Sequence, residues 1–219
     1  MSKVKKIDPE NVEAAAKLKP DLIITYKENK NNKKLAKIAL TVPIKVQDMD
    51  YKDTHIEIGK LVNKEAKAKK QADKLSEKLA KDGKEIKKAI GKDNTFSIMD
   101  IQAKDIYQFG PRFGRGSEAI YEGFKLKEDP EAKQAMPKEK FMKVPKEKFN
   151  TYSGDYLLLP TKDGKKPNND FVKSNTWKNN KAVQNGNVIY YSMDEAIYAD
   201  LISVEKQAEL FKKELLKHK

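Results

Sequence analysis

Between Ile106 and Tyr121 the chain reads IYQFGPRFGRGSEAIY, and these sixteen residues hold most of what could recognise a ligand. Four aromatics (Tyr107, Phe109, Phe113, Tyr121) alternate with Arg112 and Arg115 and with Gly110, Gly114 and Gly116. Arg112 and Arg115 are the only arginines in the chain; every other strongly basic side chain is a lysine. A guanidinium offers a rigid fork of donors and stacks on aromatic faces, and glycines let backbone approach a bound molecule. The stretch therefore reads as a ligand loop. A plain strand-loop-helix corner with core aromatics would show the same residues, and composition alone does not separate the two.

Other chemistries find little support. GPRFGRG lacks the lysine and threonine of a phosphate-binding loop and the spacing of a dinucleotide turn. Cysteine is absent, which removes disulfides, thiol catalysis and thiolate metal sites. The two histidines, His55 and His218, are too few for a histidine-built metal centre, and His55 would be almost the only base for a serine triad. Asp194 and Glu195 form an acidic pair without a partner pattern and read as a solvated loop. Trp177, the single tryptophan, reads as a core anchor. The chain is not expected to be an enzyme.

The elements that position the loop alternate in type. Residues 7–19 suggest a short helix with Asp8 as N-cap and Pro9 in its first turn. The run Leu22, Ile23, Ile24 in PDLIITY suggests a strand buried on both faces, and TVPIKV, ending at Val46, a second strand. A helix follows from Tyr51 to Val62. Residues 65–90 form one long helical pattern with a narrow seam of Ala68, Ala72, Leu75, Leu79, Ile86 and Ile90. That helix would be about 40 Å long and is expected to lie along a globular body, with Gly83 a weak point in it. Strands are expected at TFSIMD, near 105–109, at DYLLL and at NVIYY, with Ser117 capping a helix after the loop, 118–143 charged and irregular, and an amphipathic helix over 200–217. Helix-strand alternation of this kind is an α/β signature.

Composition sets the outer limits. The 219 residues carry a net charge of +13, with 38% apolar and 36% charged side chains. The lysines are interleaved with acids, as on a solvated helix face, so nucleic acid is not expected as a partner. A basic helical module that grips an anionic polymer through residues 65–90 is the reading from a different functional class. No apolar run reaches the length of a membrane span and no signal segment precedes residue 20.

The segments VEAAAKLKPDLIITY, GKLVNKEAKAKK, AKDGKEIKKAIG, IYQFGPRFGRGSEAIYEGFKLK, VPKEKFNTYSGDYLLL and NTWKNNKAVQNGNVIYY run in one order along nearly the whole chain. In them the sequence resembles the iron-siderophore substrate-binding proteins of ABC importers, and most of all the ferric-hydroxamate receptors of Gram-positive bacteria. The resemblance implies an α/β fold of two Rossmann-like lobes joined by one long helix, with a partial N-terminal lobe over 1–63, the connecting helix over 64–91 and the C-terminal lobe over 92–219. It implies capture of a ferric hydroxamate siderophore of the ferrichrome or ferrioxamine type between lobes, by a monomer, and delivery to an ABC permease. Iron would arrive as the siderophore complex, with no cofactor or metal ligated by protein. By the same resemblance Arg115 would hydrogen-bond the hydroxamate oxygens, Phe113, Tyr107 and Tyr26 would pack on the ligand, and Glu13 and Glu147 would pair with permease arginines. A catecholate siderophore or haem is an alternative within the family. Phe113 stands where close relatives carry tryptophan, and positions near Val46 and Ile197 are often aromatic there. The family's signal peptide, lipid-bearing cysteine and first strands have no counterpart in the 219 residues, so a truncated, soluble form is expected of a protein otherwise anchored as a lipoprotein on the extracellular face of the membrane.

Overall fold

In a computed structural model of the protein, residues 5, 7, 8, 10–45, 49–102 and 105–217 are described; Pro9, Val46 and His218 lie outside them. The chain divides into two compact units, residues 1–50 and 51–219.

The first unit contains α1 (Val12–Lys17), β1 (Leu22–Tyr26), α2 (Asn32–Leu35) and β2 (Leu40–Ile44). The strands pair in parallel, Leu22 opposite Leu40 through Tyr26 opposite Ile44. The first helix begins later than its sequence suggests. Asn11 is the cap, its side chain accepting the Ala14 N–H, whereas Asp8 accepts the N–H of Glu10 in a preceding turn. β1 is not buried on both faces: Ile24 and Tyr26 stay 37% and 41% exposed. A sheet of two strands offers too little area to be covered on both sides.

The second unit starts at α3 (Tyr51–Leu61), which packs on α4 (Glu65–Ile90). Tyr51 is buried in the core, and a Cβ on Gly59 would come within 2.5 Å of the Ala68 Cβ, so the two helices meet closely. The residues expected to close the first lobe at 63 thus fall partly within the second unit, because α3 spends its apolar face on α4.

After α4 come β3 (Thr95–Ile101), β4 (Ile106–Phe109), a π-helix (Glu118–Gly123), β5 (Lys127–Glu128), α5 (Pro130–Ala135), β6 (Phe141–Val144) and a 3₁₀ turn (Lys146–Lys148). Next are β7 (Tyr156–Thr161), α6 (Asn175–Lys178), α7 (Lys181–Gln184), β8 (Val188–Ser192), α8 (Met193–Ala196) and α9 (Leu201–Leu215). The sheet runs β6-β4-β3-β7-β8, with β5 beside β3. β3, β7 and β8 are parallel, while β4 turns back antiparallel to β3 and β6 follows antiparallel to β4. The segment expected to be irregular over 118–143 therefore carries two helices, the strand β5 and most of the strand β6. Most of its charged residues are exposed, while Tyr121, Phe124, Leu126 and Ala132 turn inward together with the hydrogen-bonded carboxylates of Glu118 and Asp129.

One face of the sheet is covered by α4, the π-helix and α9 around Leu79, Ile86, Phe96, Ile120, Phe124, Val204 and Phe211. A separate cluster holds Trp177 with Phe149 and Phe171, at ring distances of 5.8 and 6.3 Å. The core role expected for Trp177 holds, at 2% exposure. Along α4 the seam residues Ala68, Ala72, Leu75, Leu79 and Ile86 are buried as their spacing predicts. Gly83 is no weak point. A Cβ there would lie 2.2 Å from the Phe124 carbonyl oxygen, so glycine is what lets α4 touch the π-helix backbone.

Asp200 caps α9, its Oδ1 accepting the N–H groups of Ile202 and Ser203 at 3.0 and 3.1 Å. Burial alone would raise its carboxyl, but the hydrogen bonds from Ser203 and the helix amides outweigh that and hold it below the usual value. Asp200→Ala is expected to cost about 1 kcal/mol, read as a lower urea midpoint.

Candidate functional site

The loop from Gly110 to Ser117 leaves the end of β4 and enters the π-helix. Four of the five residues from 112 to 116 have positive φ: Arg112 (67°), Gly114 (81°), Arg115 (57°) and Gly116 (89°). For the two arginines this region is sterically unfavourable. Glycine is required at 116 in particular, since a Cβ there would lie 2.5 Å from the Phe211 ring.

Hydrogen bonds from inside the fold hold this backbone. The buried Ser117 Oγ accepts the Phe113 N–H at 3.1 Å and donates to Glu118 Oε2 at 3.2 Å. Glu118 Oε1 accepts the Gly114 N–H at 2.9 Å. From β8, the Tyr191 hydroxyl donates to the Arg115 carbonyl at 2.7 Å. Ser117 was expected to cap the following helix, but its side chain turns back to the loop and caps nothing. A further wall comes from residues 195–198. Gln207 of α9 donates to the carbonyls of Glu195 and Tyr198 at 3.1 and 2.8 Å, and Gly114 packs on the Ile197 carbonyl.

The side chains present a small recognition surface. The Arg115 guanidinium lies over the rings of Phe109 and Phe113, at 4.9 and 5.3 Å. Those rings stack at 5.0 Å, and Phe113 meets Phe141 at 5.1 Å. Among the described residues the buried Arg115 Nε has no hydrogen-bond partner. The residue as a whole is partly exposed, so the planar donor fork beyond Nε is the part that an acceptor from outside the chain can meet. Tyr107, two residues before Phe109, lies half-buried against the same apolar cluster. Arg112 is spoken for: its Nε bonds Glu122 Oε1.

Thus Arg115 and Phe113 are in contact in the second unit, and Tyr107 lies in the same unit on β4, two residues before Phe109. Tyr26 belongs to the first unit, exposed at the end of β1, as does Glu13, exposed in the first turn of α1. Glu147 is exposed in the 3₁₀ turn after β6. Asp194 and Glu195 are exposed, but in the short helix α8 rather than in the loop expected for them. Sequence reasoning passed over Phe109 and Phe141 as platform members. They are register partners on β4 and β6, and FMKV, the strand that carries Phe141, had been absorbed into the segment read as irregular. It also passed over Glu118 and Tyr191, whose roles depend on contacts four and seventy-six residues away along the chain.

Burial raises the Glu118 carboxyl above its ordinary 4.5, against the opposing pull of the Gly114 amide and the Ser117 hydroxyl. An acid raised on folding adds stability below its unfolded value, and that contribution is lost as pH climbs through its folded value. Glu118→Gln keeps an acceptor for Gly114 and removes the charge. Its unfolding free energy is therefore expected to gain on that of the wild type between pH 4.5 and 7, as read by urea titrations at both.

Among the described residues no cluster of His, Cys, Asp or Glu is arranged to hold a metal ion, and no helix is long and apolar enough to cross a membrane. The lobed α/β architecture with its 26-residue helix and aromatic-arginine loop is that of a substrate-binding protein. Residues 3–195 match the family described as periplasmic binding protein, and the chain belongs to that family. It is 37% identical over 215 residues to the iron(3+)-hydroxamate-binding protein FhuD of Bacillus subtilis (strain 168), covering 96% of this chain and 67% of the relative. It is 32% identical to the iron(3+)-hydroxamate-binding protein YxeB of the same organism, with 96% and 67% covered. The chain thus spans about two thirds of the length of these curated relatives. Among solved structures it is similar to FhuD2 of Staphylococcus aureus with bound ferrioxamine B, at a TM-score of 0.90 and 36% identity, with 99% of this chain and 84% of that one covered.

Proposed function

We propose that this protein binds a ferric hydroxamate siderophore and passes it to an ABC permease for iron uptake, as a non-enzymatic monomer held at the extracellular face of the membrane. The observation that carries the reading is the partly exposed Arg115, its guanidinium laid over the Phe109 and Phe113 rings. A ferric hydroxamate suits that surface. Its iron is wrapped by its own oxygen ligands, which accept hydrogen bonds, and its linkers are apolar enough to rest on aromatic rings. Iron stays a part of the cargo and needs no ligand from the chain.

Similarity to receptors described as hydroxamate-binding supports the same ligand class. In this reading Phe113, Tyr107 and Tyr26 pack on the ligand, and Glu13 and Glu147 meet permease arginines. The carboxylates of both glutamates are exposed near the start of a helical turn, where the helix dipole tolerates an anion. A triply charged catecholate complex fits less well, because Arg112 is already engaged by Glu122 and leaves Arg115 as the loop's guanidinium for ligand.

The test is titration with ferrioxamine B and with ferrichrome, followed by tyrosine emission and by thermal shift. Binding of either supports the reading. No change with either ligand on both readouts would overturn it. Trp177 sits in the Phe149–Phe171 cluster away from the loop residues, so tyrosine emission is the signal to follow.

A further inference from the structure

Two buried side chains that the proposed reading leaves without a role hold the ligand loop by its backbone. Glu118, 3% exposed, takes the Gly114 N–H from the π-helix side. Tyr191, 2% exposed, gives its hydroxyl proton to the Arg115 carbonyl from the β8 side. Between these two bonds lies the Gly114–Arg115 peptide, and both its residues have positive φ. The direction of the Arg115 side chain follows from that backbone, since φ and ψ determine where Cβ points. Left to itself, an arginine prefers negative φ, and that change of backbone would point its Cβ in another direction.

We propose that Glu118 and Tyr191 are positioning residues that set siderophore affinity by holding the Gly114–Arg115 backbone in its left-handed conformation, without touching the ligand. The inference rests on the hydroxamate reading. Its physical content is preorganisation: the donor fork is fixed before the ligand arrives, so binding does not have to order it. Both bonds run to the main chain, so the effect acts through the loop's backbone rather than through contact with the Arg115 side chain. Ser117 completes the Glu118 clamp by taking the Phe113 N–H and orienting the carboxylate.

The composition of the chain supplies an unusual probe. Arg112 and Arg115 are its only arginines, so an arginine-specific endoprotease can cut nowhere but in this loop. Cleavage of folded protein therefore measures loop opening directly. Glu118→Leu and Tyr191→Phe are each expected to be cut faster than wild type and to bind ferrioxamine B about tenfold more weakly, the loss of one hydrogen bond to a charged or strained partner. Glu118→Gln, which keeps the acceptor, is expected to restore resistance to the protease and most of the affinity. In an Arg115→Ala background neither Glu118→Leu nor Tyr191→Phe is expected to weaken binding further, because there is no guanidinium left to position.

Unchanged affinity in folded Glu118→Leu and Tyr191→Phe would overturn the proposal, as would an equal loss that persists without Arg115, which marks a general effect on the fold. Faster cleavage with wild-type affinity would overturn it too, since the loop would then be held for some other end. If Glu118→Leu does not fold, the near-isosteric Tyr191→Phe decides by the same readouts. Wild-type protein that binds no ferric hydroxamate would refute the functional reading itself, while the protease rates would still report whether these two residues hold the loop.

Discussion

Arg115→Ala is expected to raise the dissociation constant for ferrioxamine B roughly thirtyfold or more, the usual range for a buried arginine anchor at an interface. The loss has two sources. Truncation removes the donor fork, whose Nε is buried and without an acceptor among the described residues. It also uncovers the rings of Phe109 and Phe113, which the guanidinium now covers from 4.9 and 5.3 Å. The melting temperature of the unliganded protein should barely move. Alanine inherits the positive φ of 57°, so backbone strain is neither relieved nor added, and the lost cation–ring contacts are offset by removal of the unpaired buried Nε. Arg115→Lys is the informative companion. It retains the charge but cannot form the planar fork or stack in the same way, so its affinity should lie between the two. Isothermal titration of the three proteins checks the series, and a wild-type constant for Arg115→Ala would remove Arg115 from the site.

Gly83→Ala is expected to destabilise the second unit by about 3 kcal/mol, at the upper end for an overpacked contact. Helix propensity argues the other way, by about 1 kcal/mol in favour of alanine. Packing overrides it because the new Cβ would stand 2.2 Å from the Phe124 oxygen and 2.7 Å from its Cα. Backbone cannot rotate away as a side chain can. The two elements would have to separate, uncovering Leu79, Ile86 and Phe124, all now at most 1% exposed. Gly123 forbids the easy escape, since its own missing Cβ is what admits Leu79, at 2.7 Å from where that carbon would be. A fall in melting temperature on the order of 10 °C would follow for a chain of this size. An unchanged or higher value in a thermal scan would show that the contact yields. The π-helix begins at Glu118, so any shift it makes is transmitted to the ligand loop.

Much of this architecture was legible in the residues themselves. The α4 seam, the strands at TFSIMD, DYLLL and NVIYY, and the terminal helix follow from spacing and capping. What spacing could not show was contact at a distance. Gly83 looks like a defect until Phe124 is placed against it. Ser117 has the residue type of a cap, and only the folded loop reveals that the Phe113 N–H claims its hydroxyl first. LIITY reads as a fully buried strand because apolar runs usually are, yet Ile24 and Tyr26 remain in solvent where a two-stranded sheet leaves them. The loop was recognisable by its arginines, aromatics and glycines. Its supports, Glu118 and Tyr191, were not, since a buried glutamate and a strand tyrosine carry no local signature of what they hold.

The slightness of the first unit bears on how the chain comes apart. Among its described residues the buried apolar side chains are Leu35 and Ile44, against more than thirty in the second unit. A parallel pair of strands over so small a core has little free energy of its own. The described residues of the first unit are therefore expected to lose their order more readily than the sheet of the second unit. A melting curve followed through Trp177 is expected to register the loss of the second unit's core, in which that residue lies, and to be insensitive to the earlier change.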